Sequence, residues 1–234
     1  MRSLICFRAR LRQTAIAPAT AAALALTLIT ASPAIAQKRK APTKPAPKPP
    51  AMKTTTPEIK CASLIGMGVK TIRSFCDVPA GRDPEQGIII TLPPHSGPAT
   101  LSFDIHARHT YSEDLTKSGK AYSRYTAVVG VLTMKGDLLG RGAVQAEFRT
   151  PADLFDRIGG GAGPGGLKAV APVGREQVFV TVPANVDEVS VLGETLDATT
   201  PAGHETVVLT GRPVAIISNV LVEYKPAPTP KKKK

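Results

Sequence analysis

The sequence predicts an all-β protein: a single antiparallel β-sandwich, jelly-roll or immunoglobulin-like, with one short helix and disordered Lys/Pro-rich tails. Three observations lead there. Apolar residues recur with period two in several short runs, as in Val178, Val180 and Val182 or Val144, Ala146 and Phe148. Glycine (20) and proline (22) are too frequent among 234 residues for a helical bundle, and they fall between those runs as turn signals. At 42% hydrophobic the chain is nonetheless too apolar to be disordered throughout. A Gly-X-Y period is absent, which excludes collagen, and a single long apolar run excludes a polytopic membrane fold.

The chain opens like an export signal, residues 1–36. Arg2, Arg8, Arg10 and Arg12 make a positive start, Ala21–Ile29 an apolar stretch, and Ala34-Ile35-Ala36 an A-x-A cleavage site before Gln37. The apolar stretch falls short of the roughly 20 residues that span a bilayer, so no transmembrane span is expected after cleavage. A periplasmic or extracellular location follows. Residues 37–57 mix Lys, Pro and Ala and read as an extended, disordered linker. The C-terminal residues 226–234 repeat that composition.

The domain is expected over 58–225. Its strands are expected at Gly87–Leu92, Thr100–His106, Tyr125–Met134, Val144–Phe148, Gln177–Val182, Glu188–Leu192, Thr206–Leu209 and Val214–Tyr224. Lys135-Gly136-Asp137 reads as the turn of a hairpin. In Val214–Tyr224, strict alternation places Val214, Ile216, Ser218, Val220, Val222 and Tyr224 on one face, and the first half is apolar on both. Thr150, Pro151 and Asp153 form a helix start, predicting a short helix over Pro151–Arg157. Ser112–Ser118 is a second possible helical turn. Of three cysteines, Cys6 leaves with the signal, so Cys61 and Cys76 are expected to form one disulfide closing a loop of about 15 residues.

Charge is distributed unevenly. The total is +12, but residues 1–36 carry +4, residues 37–60 carry +6, residues 225–234 carry +5, and residues 61–224 carry −3. Contact with an anionic cell-envelope polymer or glycan is therefore expected through the Lys-rich tails. Those tails contain no aromatic residue to stack on bases, so specific nucleic-acid recognition is not expected.

Chemistry concentrates in Asp104-Ile105-His106-Ala107-Arg108-His109-Thr110-Tyr111. Asp104 and His106 share a strand face, and His109 could fold back if the strand ended near it. The three would then form a metal site, the centre of a metal-dependent hydrolase. The alternative use of the region is carbohydrate binding by Tyr111, Tyr122 and Tyr125 with Arg108 and Arg124. Ile158–Gly166 is Gly-rich, but the Lys168 that follows lacks the Ser or Thr of a phosphate-binding loop. No GxSxG elbow or other catalytic signature occurs, and no cofactor is implied. The function expected is a non-enzymatic binding or structural module at the cell surface or in the periplasm.

Overall fold

The computed structural model describes residues 51–158 and 169–228. The strands, in chain order, are β1 (Lys53–Thr55), β2 (Glu58–Lys60), β3 (Leu64–Met67), β4 (Ser74–Pro79), β5 (Ile88–Thr91), β6 (Ala99–Tyr111), β7 (Ser123–Thr133), β8 (Leu138–Phe148), β9 (Ala169–Val182), β10 (Glu188–Thr200), β11 (Gly203–Val207) and β12 (Pro213–Tyr224). One helix, α1 (Glu113–Lys117), follows β6. The strands form two antiparallel sheets. The first runs β3-β4-β12-β6-β9 with β1 also on β12, and the second runs β2-β5-β10-β7-β8 with β11 also on β10.

The two sheets share a plan. Each has a long central strand paired along its whole length on one side, β12 with β6 and β10 with β7. On its other side each carries two short strands in tandem: β4 then β1 along β12, and β5 then β11 along β10. Period-two alternation sends Leu101, Phe103, Ile105 and Ala107 of β6 and Ala127, Val129 and Val131 of β7 into the core between the sheets, all fully buried. This is the β-sandwich that the sequence predicts, and the Cys61–Cys76 disulfide is present, with Cα atoms 6.0 Å apart.

Four expectations need correction. The helix over Pro151–Arg157 is only a single 3₁₀ turn, Pro151–Asp153. The Asp153 carboxylate does accept the Thr150 and Arg149 N–H groups as expected. Beyond it, however, Phe155 N–H donates to the Pro172 carbonyl at 2.9 Å, drawing the chain out along β9. The helix forms instead at the other candidate, where Ser112 caps α1.

Strict alternation along β12 also fails. Asn219 sits at φ 53, a bulge that shifts the pairing between Ser218 and Leu221. Ala215 and Ile217 therefore share the core with Val220 and Val222, while Ile216 packs with Phe75 and Ile158 on the opposite face.

Thirdly, the body is longer than 58–225. Lys53–Thr55 lies within the expected linker but pairs with Val222–Tyr224, because β12 outruns β4 and Met52–Thr56 contains no proline to withhold donors. Past Tyr224, Ala227 N–H donates to the Pro94 carbonyl. Fourthly, β6 continues through His109 to Tyr111 and does not end near His106. The signal over 1–36, most of the linker, the glycines at 159–166 and the lysines at 231–234 lie outside the described residues.

Candidate functional site

β6 places five of the candidates, Asp104, His106, Arg108, His109 and Tyr111, on one or other of its two faces, and Tyr122, Arg124 and Tyr125 lie at or just before the start of β7. Asp104, His106 and Arg108 point away from the core, and Ala107, His109 and Tyr111 point between the sheets. On the outer face, Arg108 Nε donates to Asp77 at 2.8 Å. Asp104 is fully buried, takes Arg73 at 2.7 Å and has Arg175 at 3.7 Å. His106 is sandwiched against Phe155, ring centroids 4.5 Å apart. The Gly174 carbonyl lies 2.6 Å from its Nδ1. A carbonyl only accepts, so Nδ1 carries the proton and Nε2 accepts from the Ser218 hydroxyl at 2.9 Å. Burial pushes the His106 pKa down, against the opposing pull of the Gly174 hydrogen bond. With both nitrogens engaged and the ring covered, His106 ties three strands together: its own, the bulge of β9 and the bulge of β12.

His109 belongs to a different environment. Its ring stacks on Phe148 at 3.9 Å, and Nδ1 lies 2.9 Å from the Tyr125 hydroxyl. The phenol is the stronger donor and the bare imidazole nitrogen the stronger acceptor, which leaves the proton on Nε2. Nε2 is buried and has no partner. Burial pushes the His109 pKa down to about 4 and the Tyr125 pKa up.

The metal trio therefore does not converge: in a regular strand an odd separation sends His106 and His109 to opposite faces. Among the described residues no group of three or more His, Cys, Asp or Glu side chains could hold a metal ion. Asp104 is instead paired with arginine, the partner least compatible with a bound cation.

His109 lies at the edge of a cleft of about 700 Å³ at one end of the sandwich, where the C-terminal ends of β6 and β10 meet the starts of β7 and β12. Arg108, Tyr122 and Tyr125 line it, three of the five residues expected to bind ligand. Of the other two, Tyr111 is buried edge-on to Phe148, and Arg124 is exposed, opposite Glu147. The structure adds Lys120, Arg212 and Glu205, brought from α1's loop, the start of β12 and β11. Arg212 approaches Glu205 at 4.0 Å. The volume suits a small ligand, and the charged lining is mostly cationic.

No family model and no curated protein matches the chain. Among solved structures it is similar to the K1 cleaved adhesin domain of Lys-gingipain from Porphyromonas gingivalis W83, at 9% identity and a TM-score of 0.31, over 76% of this chain and 99% of that one. A superposition so loose says nothing about what either protein does.

Proposed function

We propose that this protein is an exported binding module whose ligand, a saccharide, sits in the cleft at the β6/β10 end of the sandwich. The observation that carries the reading is His109: a buried, neutral imidazole at the cleft with Nε2–H unsatisfied. A buried donor without a partner costs about 1–3 kcal/mol, and a ligand oxygen that reaches His109 from the cleft would supply the missing acceptor. Tyr122 gives apolar ring surface with a polar tip, and the buried Tyr125 holds His109 in place through its hydroxyl. Lys120 and Arg212 favour oxygen acceptors, carboxylates included.

Polarity of the fold supports a recognition role. The cleft adjoins Pro213 at the start of β12, whereas the chain enters and leaves the body at Lys53 and Tyr224, at the other end of that strand. Twelve strand residues separate the two poles, roughly 40 Å at about 3.3 Å per residue. The site thus faces away from the point of attachment. Export is supported by the Arg-rich start, the A-x-A sequence and a disulfide, which persists in oxidising compartments.

The test is an array of neutral and acidic saccharides, followed by titration of wild type, Tyr122→Ala and His109→Phe. The second substitution keeps a ring against Phe148 and removes both nitrogens. Binding by wild type that falls at least tenfold in each variant is expected. No binding to any saccharide rejects the ligand class, and binding untouched by either change places the seat elsewhere.

A further inference from the structure

We propose that the turn joining β3 to β4 is a docking tip for an anionic lipid bilayer. Among the described residues the most exposed large apolar side chains include four in this short stretch: Leu64 at 63%, Met67 at 52%, Val69 at 69% and Ile72 at 73%. Scattered exposed apolar residues are ordinary, but four together are not. The stretch also contains no acid: from Lys60 to Arg73 the charges are Lys60, Lys70 and Arg73, of which Arg73 is spent on Asp104 while Lys60 and Lys70 stay exposed. Arg157 joins them, its carbonyl accepting the Val69 N–H at 2.8 Å. The neighbouring Asp156 is buried and spends its carboxylate inward. It accepts the Lys70 and Thr71 N–H groups at 2.9 and 2.8 Å and the Thr71 hydroxyl at 2.5 Å.

Apolar side chains ringed by cations fit one surface chemistry, a hydrocarbon boundary under anionic headgroups.

The tip is built to hold this form. Ile72 has φ 53, a left-handed conformation that is a true outlier for a β-branched residue. Such strain persists where the surroundings over-determine it, and it gathers at functional positions. Here the Asp156 clamp, the Gly68 N–H to Arg73 carbonyl bond and the Cys61–Cys76 disulfide do so. The result turns the Ile72 side chain outward on a rigid support. The location fits as well. Cys76 pairs with Ile217, so the chain before Cys76 runs toward the Tyr224 end of β12, the pole where the Lys-rich segments attach.

This inference stands independently of the saccharide cleft. It also separates from contact by the tails, whose lysines act through charge, which is screened at roughly 1 M salt, where the Debye length is about 3 Å. The experiment is co-sedimentation of the full chain with vesicles of equal parts phosphatidylglycerol and phosphatidylcholine, or of phosphatidylcholine alone, at low and at roughly 1 M salt. Wild type compares with the double variant Val69→Ser, Ile72→Asn, in which asparagine suits the left-handed position. Phe179→Ser, another exposed apolar residue far from the turn, is the control.

The expected result is binding to the anionic vesicles that is partly retained at high salt. It should fall at least tenfold in the double variant and stay unchanged in Phe179→Ser, with melting temperatures equal. No vesicle binding, binding indifferent to phosphatidylglycerol, or binding the double variant leaves intact overturns the proposal. A wild-type dimer that the double variant converts to monomer overturns it in favour of a second copy at the tip.

Discussion

His106 and His109 lie on the same strand and look in opposite directions, one hydrogen-bonded to Gly174 and Ser218, the other stacked on Phe148. Both are buried as neutral rings, so the protein contains two imidazoles that resist protonation for the same reason and at different places.

Their shared property predicts a stability profile. The unfolded chain protonates His109 near pH 6.5 and the folded protein only near 4. Between those values the unfolded state binds more protons, so stability is complete above about pH 6.5 and is lost as the pH falls toward 4. His109 alone accounts for about 3 kcal/mol of that loss, and His106 acts in the same direction. Melting curves from pH 7.5 to 4.5 check this, with His109→Phe expected to flatten the decline. A wild-type melting temperature constant over that range rejects it.

Reduction of Cys61–Cys76 should destabilise the domain by about 3 kcal/mol, the value for a closed loop of this length. At about 2–4 °C per kcal/mol for a domain of this size, the melting temperature falls by roughly 6–12 °C. Scanning calorimetry with and without reductant measures it. Two titratable thiols in denatured, unreduced protein would contradict the bond itself.

Gly174 has φ 67 and turns its carbonyl onto His106, and a Cβ added there would meet the Ala146 Cβ at 2.7 Å. Gly174→Ala therefore combines left-handed strain with a clash and disturbs the His106 bond. A loss of about 2–4 kcal/mol is expected, read as a shift in the urea midpoint. Gly136→Ala, also at positive φ but with open space around its Cβ, should cost less.

The Lys-rich segments should govern retention on an immobilised anionic polymer, because residues 37–60 and 225–234 carry +6 and +5 while residues 61–224 carry −3. Replacing Lys231–Lys234 by glutamine should move elution to lower salt, and wild-type retention should vanish as salt rises. Elution unchanged by that replacement, and by glutamine at the lysines of residues 37–60 as well, points to the folded body instead.

Most of the sandwich was legible because burial on one face imposes period two, as at Val178, Val180 and Val182 or along Tyr125–Phe148. What escaped has physical causes. Asn219 shifts the face of every later residue in β12, and no local composition marks a single-residue bulge. The edge strands β1, β2 and β3 are too short and too exposed to alternate visibly. In the cleft, Tyr122, Tyr125 and Arg108 were visible as a cluster within one stretch of chain. Arg212 and Glu205 were not, since pairing of β10 with β11 and β12 with β6 brings them there from far along the sequence. His109 reads as a metal ligand only if the strand ends near it, and the continuation of β6 to Tyr111 turns it to the face opposite His106.

Lys53 pairs directly with Tyr224, and past Tyr224 the chain is tied on to Ser96 and Pro94 through Lys225 and Ala227 before it leaves the body. A pull applied between the two termini would first strip Lys225–Ala227 from Pro94 and Ser96 and then open β1 from β12 like a zipper, rupturing hydrogen bonds one after another. The disulfide limits how far this spreads, since Cys61 stays fastened to Cys76 of β4 once β1 and β2 have peeled away. If both termini hold the same support, no tension crosses the body at all. The domain then behaves as a pendant, loaded only when something draws on its far pole.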